Sequence, residues 1–207
     1  MAQQTPRLVK QTLDKDLDKI TSVEAATHNV SRRLAGPGIG LIFLVAAMMF
    51  AGVYVVDQPG AIIILAAAAV GAYMAMNIGA NDVTNNVGPA VGAKAMSMGL
   101  ALVIAAVFEV AGAMIAGGDV VETISKGIVD PTLFANPNMF IWAMMAALLS
   151  SALWVNLATW IGAPVSTTHA VVGGVVGAGV AAAGFSSVNW VQMSGIAASW
   201  VISPVMG

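Results

Sequence analysis

Residues 61–86 read AIIILAAAAVGAYMAMNIGANDVTNN, from Ala61 to Asn86. The part from Ala61 to Ile78 carries no charge and comes close to the ~20 apolar residues needed to cross a bilayer. It then runs directly into a carboxylate and several amides. A membrane span ending in a polar cluster is therefore the unit from which the rest of the chain is read. Four further apolar runs share its character: Pro37 to Val56, Ala95 to Ala116, Asn138 to Ile161 and Trp190 to Gly207. Asp57-Gln58-Pro59-Gly60 is a turn, and residues 117–137 read as a loop with room for one short amphipathic helix. Residues 162–184 are rich in Gly and Ala and are interrupted by Pro164. The pattern predicts an all-α integral membrane protein with about five transmembrane helices.

Composition supports this. Of 207 residues 58% are apolar and 9% are charged, against about a quarter charged in soluble domains. So little charge cannot coat a soluble core, and it argues against a disordered chain or a nucleic-acid binder. With no cysteine there is no disulfide framework and no thiolate metal site.

The charge is also unevenly placed. Residues 1–36 hold six basic and four acidic side chains, whereas residues 37–207 hold only Lys94 and Lys126 against six acids. The first 36 residues read as a polar cytoplasmic tail, with Arg32 and Arg33 just inside the first span, as positive-inside orientation requires. Residues 37–59 are then a first transmembrane helix and turn. This orientation predicts a multi-pass chain with its N-terminus and Lys94 on the cytoplasmic side. Asp14, Asp16 and Asp18 imitate the start of a calcium loop, but Lys19 stands where that loop needs Gly and Ala25 where it needs Glu.

Two polar constellations lie within the membrane body. The first is Gly79-Ala80-Asn81-Asp82-Val83-Thr84-Asn85-Asn86. Asp82, Asn85 and Asn86 are spaced i, i+3, i+4 and share one face if helical. Gly79 and Gly88-Pro89 read as helix breaks. Such a cluster at an apolar boundary is costly unless it lines a cavity or binds something, the alternative being a polar interfacial loop. The second is Gly162-Ala163-Pro164-Val165-Ser166-Thr167-Thr168-His169. Pro164 suits the first turn of a helix, and three hydroxyls follow beside the N–H groups that attract anions. The plainer reading is an N-cap followed by a small-residue packing helix.

Together these suggest a mechanism. The body has almost no Lys or Arg with which to bind an anion, so hydroxyls and backbone N–H groups take that role. Asp82 would repel the anion unless protonated or paired with a cation, which points to joint entry of an anion and a cation. This requires Asp82 and Ser166 to share one vestibule. Glu109, midway along the third run, is a further cation-coupling candidate or one half of an inter-helix hydrogen bond. His169 is either a proton carrier or a packed polar side chain. No nucleophile–base pair or metal-ligand cluster is apparent, so an enzyme is not expected.

The strings GANDVTNNVGPAVGAKAMS, VFEVAGAMIAGGDVVETISKGIVD and GAPVSTTHAVVGGVVGAG resemble the inorganic phosphate transporter family, over roughly residues 60–207. The resemblance implies an inverted-repeat fold with a re-entrant helical hairpin in each half, and residues 162–184 would be that hairpin. It implies phosphate carried with Na⁺ or H⁺ and no resident cofactor. Asn81, Asp82 and Asn85 would serve cation and phosphate, Ser166, Thr167 and Thr168 would hold phosphate at the hairpin tip, and Glu109 matches an acidic position linked to transport. The commoner family pattern has Ala where this chain has Thr84 and Asn86, and one relative in the family is a sulfate permease.

Each motif occurs once. The expectation is thus one half of an inverted-repeat transporter, with residues 60–207 its first repeat, working with a second half as partner; homo-oligomerisation is left open. The alternatives are a sulfate or other oxyanion permease and a non-transporting membrane scaffold whose small-residue faces serve packing alone.

Overall fold

The computed structural model describes residues 11–206, the side chains of residues 11–14, 29, 32, 33 and 84 apart. The start of the expected tail, residues 1–10, and Gly207 lie outside the described residues. Six α-helices follow one another: α1 Gln11–Val55, α2 Ala61–Gly92, α3 Met98–Glu122, α4 Pro137–Trp160, α5 Thr167–Ala183 and α6 Trp190–Met206. A π-helical turn, Thr123–Gly127, extends α3, and 3₁₀ turns occupy Pro131–Leu133 and Phe185–Ser187. Among the described residues there is no strand, only an antiparallel bridge between Val129 and Val188.

Among the described residues, four stretches are long and apolar enough to cross a membrane: Leu34–Val55, Ala61–Gly92, Met98–Gly127 and Pro137–Trp160. The fifth apolar run forms a helix of 17 residues, about 26 Å at 1.5 Å per residue against a hydrocarbon core of about 30 Å. The chain divides into two compact units, one ending at Ala46 and one beginning at Ala47. The described residues of the first unit form one helical segment; residues 14–25 are helical within it, which a calcium loop is not.

Two readings are corrected. Neither Gly79 nor Gly88-Pro89 breaks α2, which continues to Gly92 as a 32-residue helix of about 48 Å. Residues 117–122 are likewise helical and not loop, so Asp119 and Glu122 stand on α3. The reason is the same in both places. Glycine weakens a helix by about 1 kcal/mol where water competes for the backbone, but lipid offers no competing partners. Three helix starts carry side-chain caps: Ser97 accepts from Leu100 N, Asn136 from Met139 N and Ser166 from His169 N.

The core of the second unit is a hairpin. α4 and α5 run antiparallel, joined by a non-helical tip from Ile161 to Ser166. Residues 162–184 therefore hold the tip and one arm of the hairpin, and α4 is its other arm. Ala143, Ala147, Ser151, Ala152, Val155 and Ala158 are the buried face of α4. Small residues allow this approach: a Cβ on Gly174 would meet Ala147 O at 2.7 Å and would also strike Ser151 Oγ. Ser151 Oγ stands 2.7 Å from Ala147 O and 2.8 Å from Ala170 O, so its one hydrogen is shared between its own helix and the other arm. At the far end Ile128, Val129, Phe134, Val172, Val175 and Val188 form an apolar cluster. There the hydrogen bonds Asp130 N to Ser187 O and Asn189 N to Ile128 O tie the two connecting segments together.

Candidate functional site

The site forms where the hairpin tip meets the middle of α2. Asn77 and Asn81 are one turn apart on α2, and both are buried. A buried amide in an apolar bundle must find partners, and both do. Asn156 Nδ2 donates to Asn77 Oδ1 at 2.8 Å, and Asn77 Nδ2 donates to Tyr73 O at 2.8 Å. Asn81 Nδ2 donates to Thr159 Oγ1 at 3.0 Å and to Ala163 O at 3.4 Å, while its Oδ1 accepts from Val165 N at 3.4 Å. One side chain thus grips α4 and both sides of the tip, which fixes the non-helical backbone at 162–166.

One residue further on, Asp82 makes the second clamp. Thr167 Oγ1, at the first turn of α5, donates to Asp82 Oδ2 at 2.9 Å. Thr167 is buried and Asp82 half-buried. The carboxylate consequently sits beside the start of α5, whose dipole favours negative charge. Beside these clamps lies a cavity of about 290 Å³, lined by Asn81, Asn85, Thr159 and the tip residues Gly162, Ala163 and Pro164. Gly162 has φ +72°, a left-handed conformation that glycine adopts without strain, and it turns the chain out of α4.

The sequence-derived residues divide into three places. Asn81, Asp82 and Thr167 are brought together, and Asn85 lines the same cavity as Asn81. Ser166 caps α5, its Oγ accepting from His169 N at 3.2 Å. Together with Thr168 and His169 it lines a second cavity on the α6 side of α5. Glu109 stands apart, in a groove between α2 and α3 that it shares with Asn86, Val87 and Phe108. Ser166 is therefore adjacent to the residue that binds Asp82, but it opens on a different cavity from Asn81 and Asn85, and Asp82 lines neither, so the single vestibule expected for Asp82 and Ser166 is not found among the described residues. Among the described residues no group of three or more His, Asp or Glu side chains could hold a metal ion.

Sequence reasoning overlooked Thr159, Asn77 and Asn156. Asn77 precedes Asn81 by four residues in an otherwise apolar helix, and Asn156 and Thr159 are spaced i, i+3 in the fourth run. Both spacings mark polar stripes on membrane helices.

Comparison with known proteins fits this geometry. The family model described as "Phosphate transporter family" matches residues 78–207, which include both clamps. A protein of Helicobacter pylori strain J99, named "Putative phosphate permease", is 52% identical over 192 residues, covering 93% of this chain and 36% of that protein. A like-named protein of Mycobacterium bovis is 47% identical over 155 residues, 70% of this chain and 28% of its own length. A solved structure titled "The sodium-dependent phosphate transporter" superposes with a TM-score of 0.66 at 43% identity, over 69% of this chain and 36% of that one. The chain thus spans about a third of the length of the relatives it matches most extensively. Its apolar helices make it a multi-pass membrane protein, and with the family model covering the hairpin, the tip and the α2 clamp, the chain belongs to the phosphate transporter family.

Proposed function

We propose that this chain forms one half of a secondary transporter that carries inorganic phosphate together with a cation, Na⁺ or H⁺, across a cell inner membrane with its N-terminus in the cytoplasm. The observation that carries this reading is the hydrogen bond between Thr167 and Asp82. It joins the two motifs into one polar centre in a body with almost no positive side chains. Asn81, Asp82, Asn85, Ser166, Thr167 and Thr168 are the substrate-binding set, with Asp82, Asn85 and Glu109 serving the cation.

Each group has a physical task. The hydroxyls of Ser166 and Thr168 and the first N–H groups of α5 offer hydrogen bonds to an oxyanion without adding charge. Asp82 is the fixed negative charge that makes an anion alone unwelcome and an anion with a cation acceptable. A cation beside the carboxylate competes for the oxygen that Thr167 occupies, so cation entry loosens the tip from α2. A second half, placed against these faces, completes the site and allows alternating access by rocking. No resident cofactor is needed.

The test is uptake of radiolabelled phosphate by proteoliposomes holding a transporter of full family length with these residues. The reading expects concentrative uptake driven by a Na⁺ or proton gradient and resistant to a tenfold excess of sulfate. Uptake abolished by sulfate would reassign the substrate to another oxyanion. Absence of any gradient-driven uptake would leave the chain as a scaffold.

A further inference from the structure

The apolar span of α1 begins at Leu34, but the helix begins at Gln11. It continues through Gly36-Pro37-Gly38, so tail and span form one helix, with about 35 Å of it before Leu34 at 1.5 Å per residue. In that part Ile20, Val23, Thr27, Val30 and Leu34 follow one another at spacings of three and four. At about 100° per residue they fall within an arc of about 80°, the a and d seam of a coiled coil. Its four apolar members are each more than half exposed. Asp16 stands on the same line one position earlier and ends the seam there. A helix outside lipid draws most of its stability from packing such a face.

We propose that this seam docks a second copy of the chain, the two tails forming a parallel, in-register coiled coil beside the membrane. The flanking charges select that occupant. Lys19 and Glu24 border the seam on opposite sides, at g and e positions, and both are exposed. Their separation is the one at which g of one helix meets e of the next heptad in a parallel partner. Lys19 of each copy therefore meets Glu24 of the other, and the contact is self-complementary. Lys15 and Asp18 lie outside the seam. Direction follows from insertion. Copies inserted with one orientation send their tails out of the same face of the bilayer, each from Leu34, so the seams run parallel and in register. With Thr27 at its centre the seam is short and weak for a coiled coil free in water, and confinement in one bilayer raises the effective concentration of the second copy. A lipid surface fits less well. Residues 11–31 hold two lysines against four acids, Asp14, Asp16, Asp18 and Glu24, whereas helices lying on anionic lipid are rich in Lys and Arg. Lying flat would also break the helix at the edge of the span, and α1 is unbroken there. The seam lies outside the residues assigned to phosphate, so it stands whichever anion is carried.

The chain has no cysteine, so single cysteines report on the pairing directly. The test uses the complete 207-residue chain in membranes of its expression host, opened by sonication and oxidised with copper phenanthroline. Val23→Cys, Thr27→Cys and Val30→Cys should form disulfide-linked dimers about fivefold faster than Thr21→Cys and Ala25→Cys, whose positions face away from the seam. Equal rates at every position overturn the interface. Seam cysteines that do not cross-link overturn it too, and their resistance to a membrane-impermeant maleimide would then assign the face to lipid or to another protein. In the Thr27→Cys chain at low salt, Lys19→Glu should slow cross-linking about threefold, the scale of exposed ion pairs. Adding Glu24→Lys to Lys19→Glu should restore the rate, since the pair is then reversed but intact. A rate unmoved by Lys19→Glu, or not recovered by the double change, overturns the pairing of Lys19 with Glu24.

Discussion

Thr167 Oγ1 donates a 2.9 Å hydrogen bond to Asp82 Oδ2 across 85 positions of the chain, and this bond locks the hairpin to the α2 helix. Asn81, the neighbouring residue, holds the tip backbone at Ala163 and Val165. Two adjacent side chains therefore fasten the hairpin to α2 by different chemistry. Asn81 uses amide bonds that carry no net charge, whereas Asp82 uses a carboxylate oxygen that accepts from a hydroxyl.

Thr167→Val keeps shape and removes the donor. Hydrogen bonds to charged groups contribute about 1.5–3 kcal/mol, so phosphate uptake in a full-length transporter should fall by about ten- to a hundredfold, while Thr167→Ser retains most of it. Initial rates normalised to surface expression would decide this. Equal rates for the valine and serine variants would remove the hydroxyl from the mechanism.

Asp82→Asn preserves a side chain able to accept from Thr167 and so should leave folding and expression intact. It removes the charge that calls for a cation, and gradient-driven uptake should be lost. Normal uptake by this variant would exclude Asp82 from ion coupling.

Asn77 and Asn156 form a buried pair, and Asn156→Leu alone leaves Asn77 Oδ1 without its donor. We expect a loss of about 1 kcal/mol, the scale of hydrogen bonds between membrane helices, with the double change Asn77→Leu, Asn156→Leu recovering part of it. Thermal unfolding in detergent measures both. A double variant no more stable than the single one would show that the amides are not a coupled pair.

Gly179 faces Val129 at the far end of the hairpin, where an added Cβ would come within 2.8 Å of Val129 Cγ2. Gly179→Ala should cost about 1–3 kcal/mol as an overpacked contact, and Val129→Ala in the same chain should relieve it. Failure of the second change to restore stability would mean that backbone strain, not this contact, sets the cost.

Asp130 lies in the connecting segment between α3 and α4, outside the spans. Its carboxyl is held below the ordinary carboxylate range, first by the Thr132 hydroxyl at 2.7 Å and second by the Thr132 N–H at 2.8 Å. The bonds favour the ionised form, so their contribution is complete above the unfolded value of about 3.9 and is lost as pH falls through the lowered folded value. Thr132→Val should move the Asp130 titration, followed by carboxyl ¹³C NMR, back toward that value. An unmoved titration would assign the effect elsewhere.

Much of this was legible in the residues themselves. Apolar runs of bilayer length and a charge-poor body determined an all-helical membrane protein, because lipid leaves the backbone no other partner than itself. The strings around Asp82 and Ser166 marked the polar centre for the same reason: polar groups in an apolar segment are costly unless used. What the one-dimensional pattern could not decide was where helices end and which faces meet. Gly79 and Gly88-Pro89 read as breaks, and residues 117–137 as a loop, by rules calibrated in water, yet α2 runs to Gly92 and α3 to Glu122. Only the tertiary structure could pair α4 with α5, sort Thr167 toward Asp82 and Thr168 toward His169, and set Asp119 within a helix. Side-chain direction around a helix turns by about 100° per residue, so neighbours in sequence open on different cavities, and packing alone selects which.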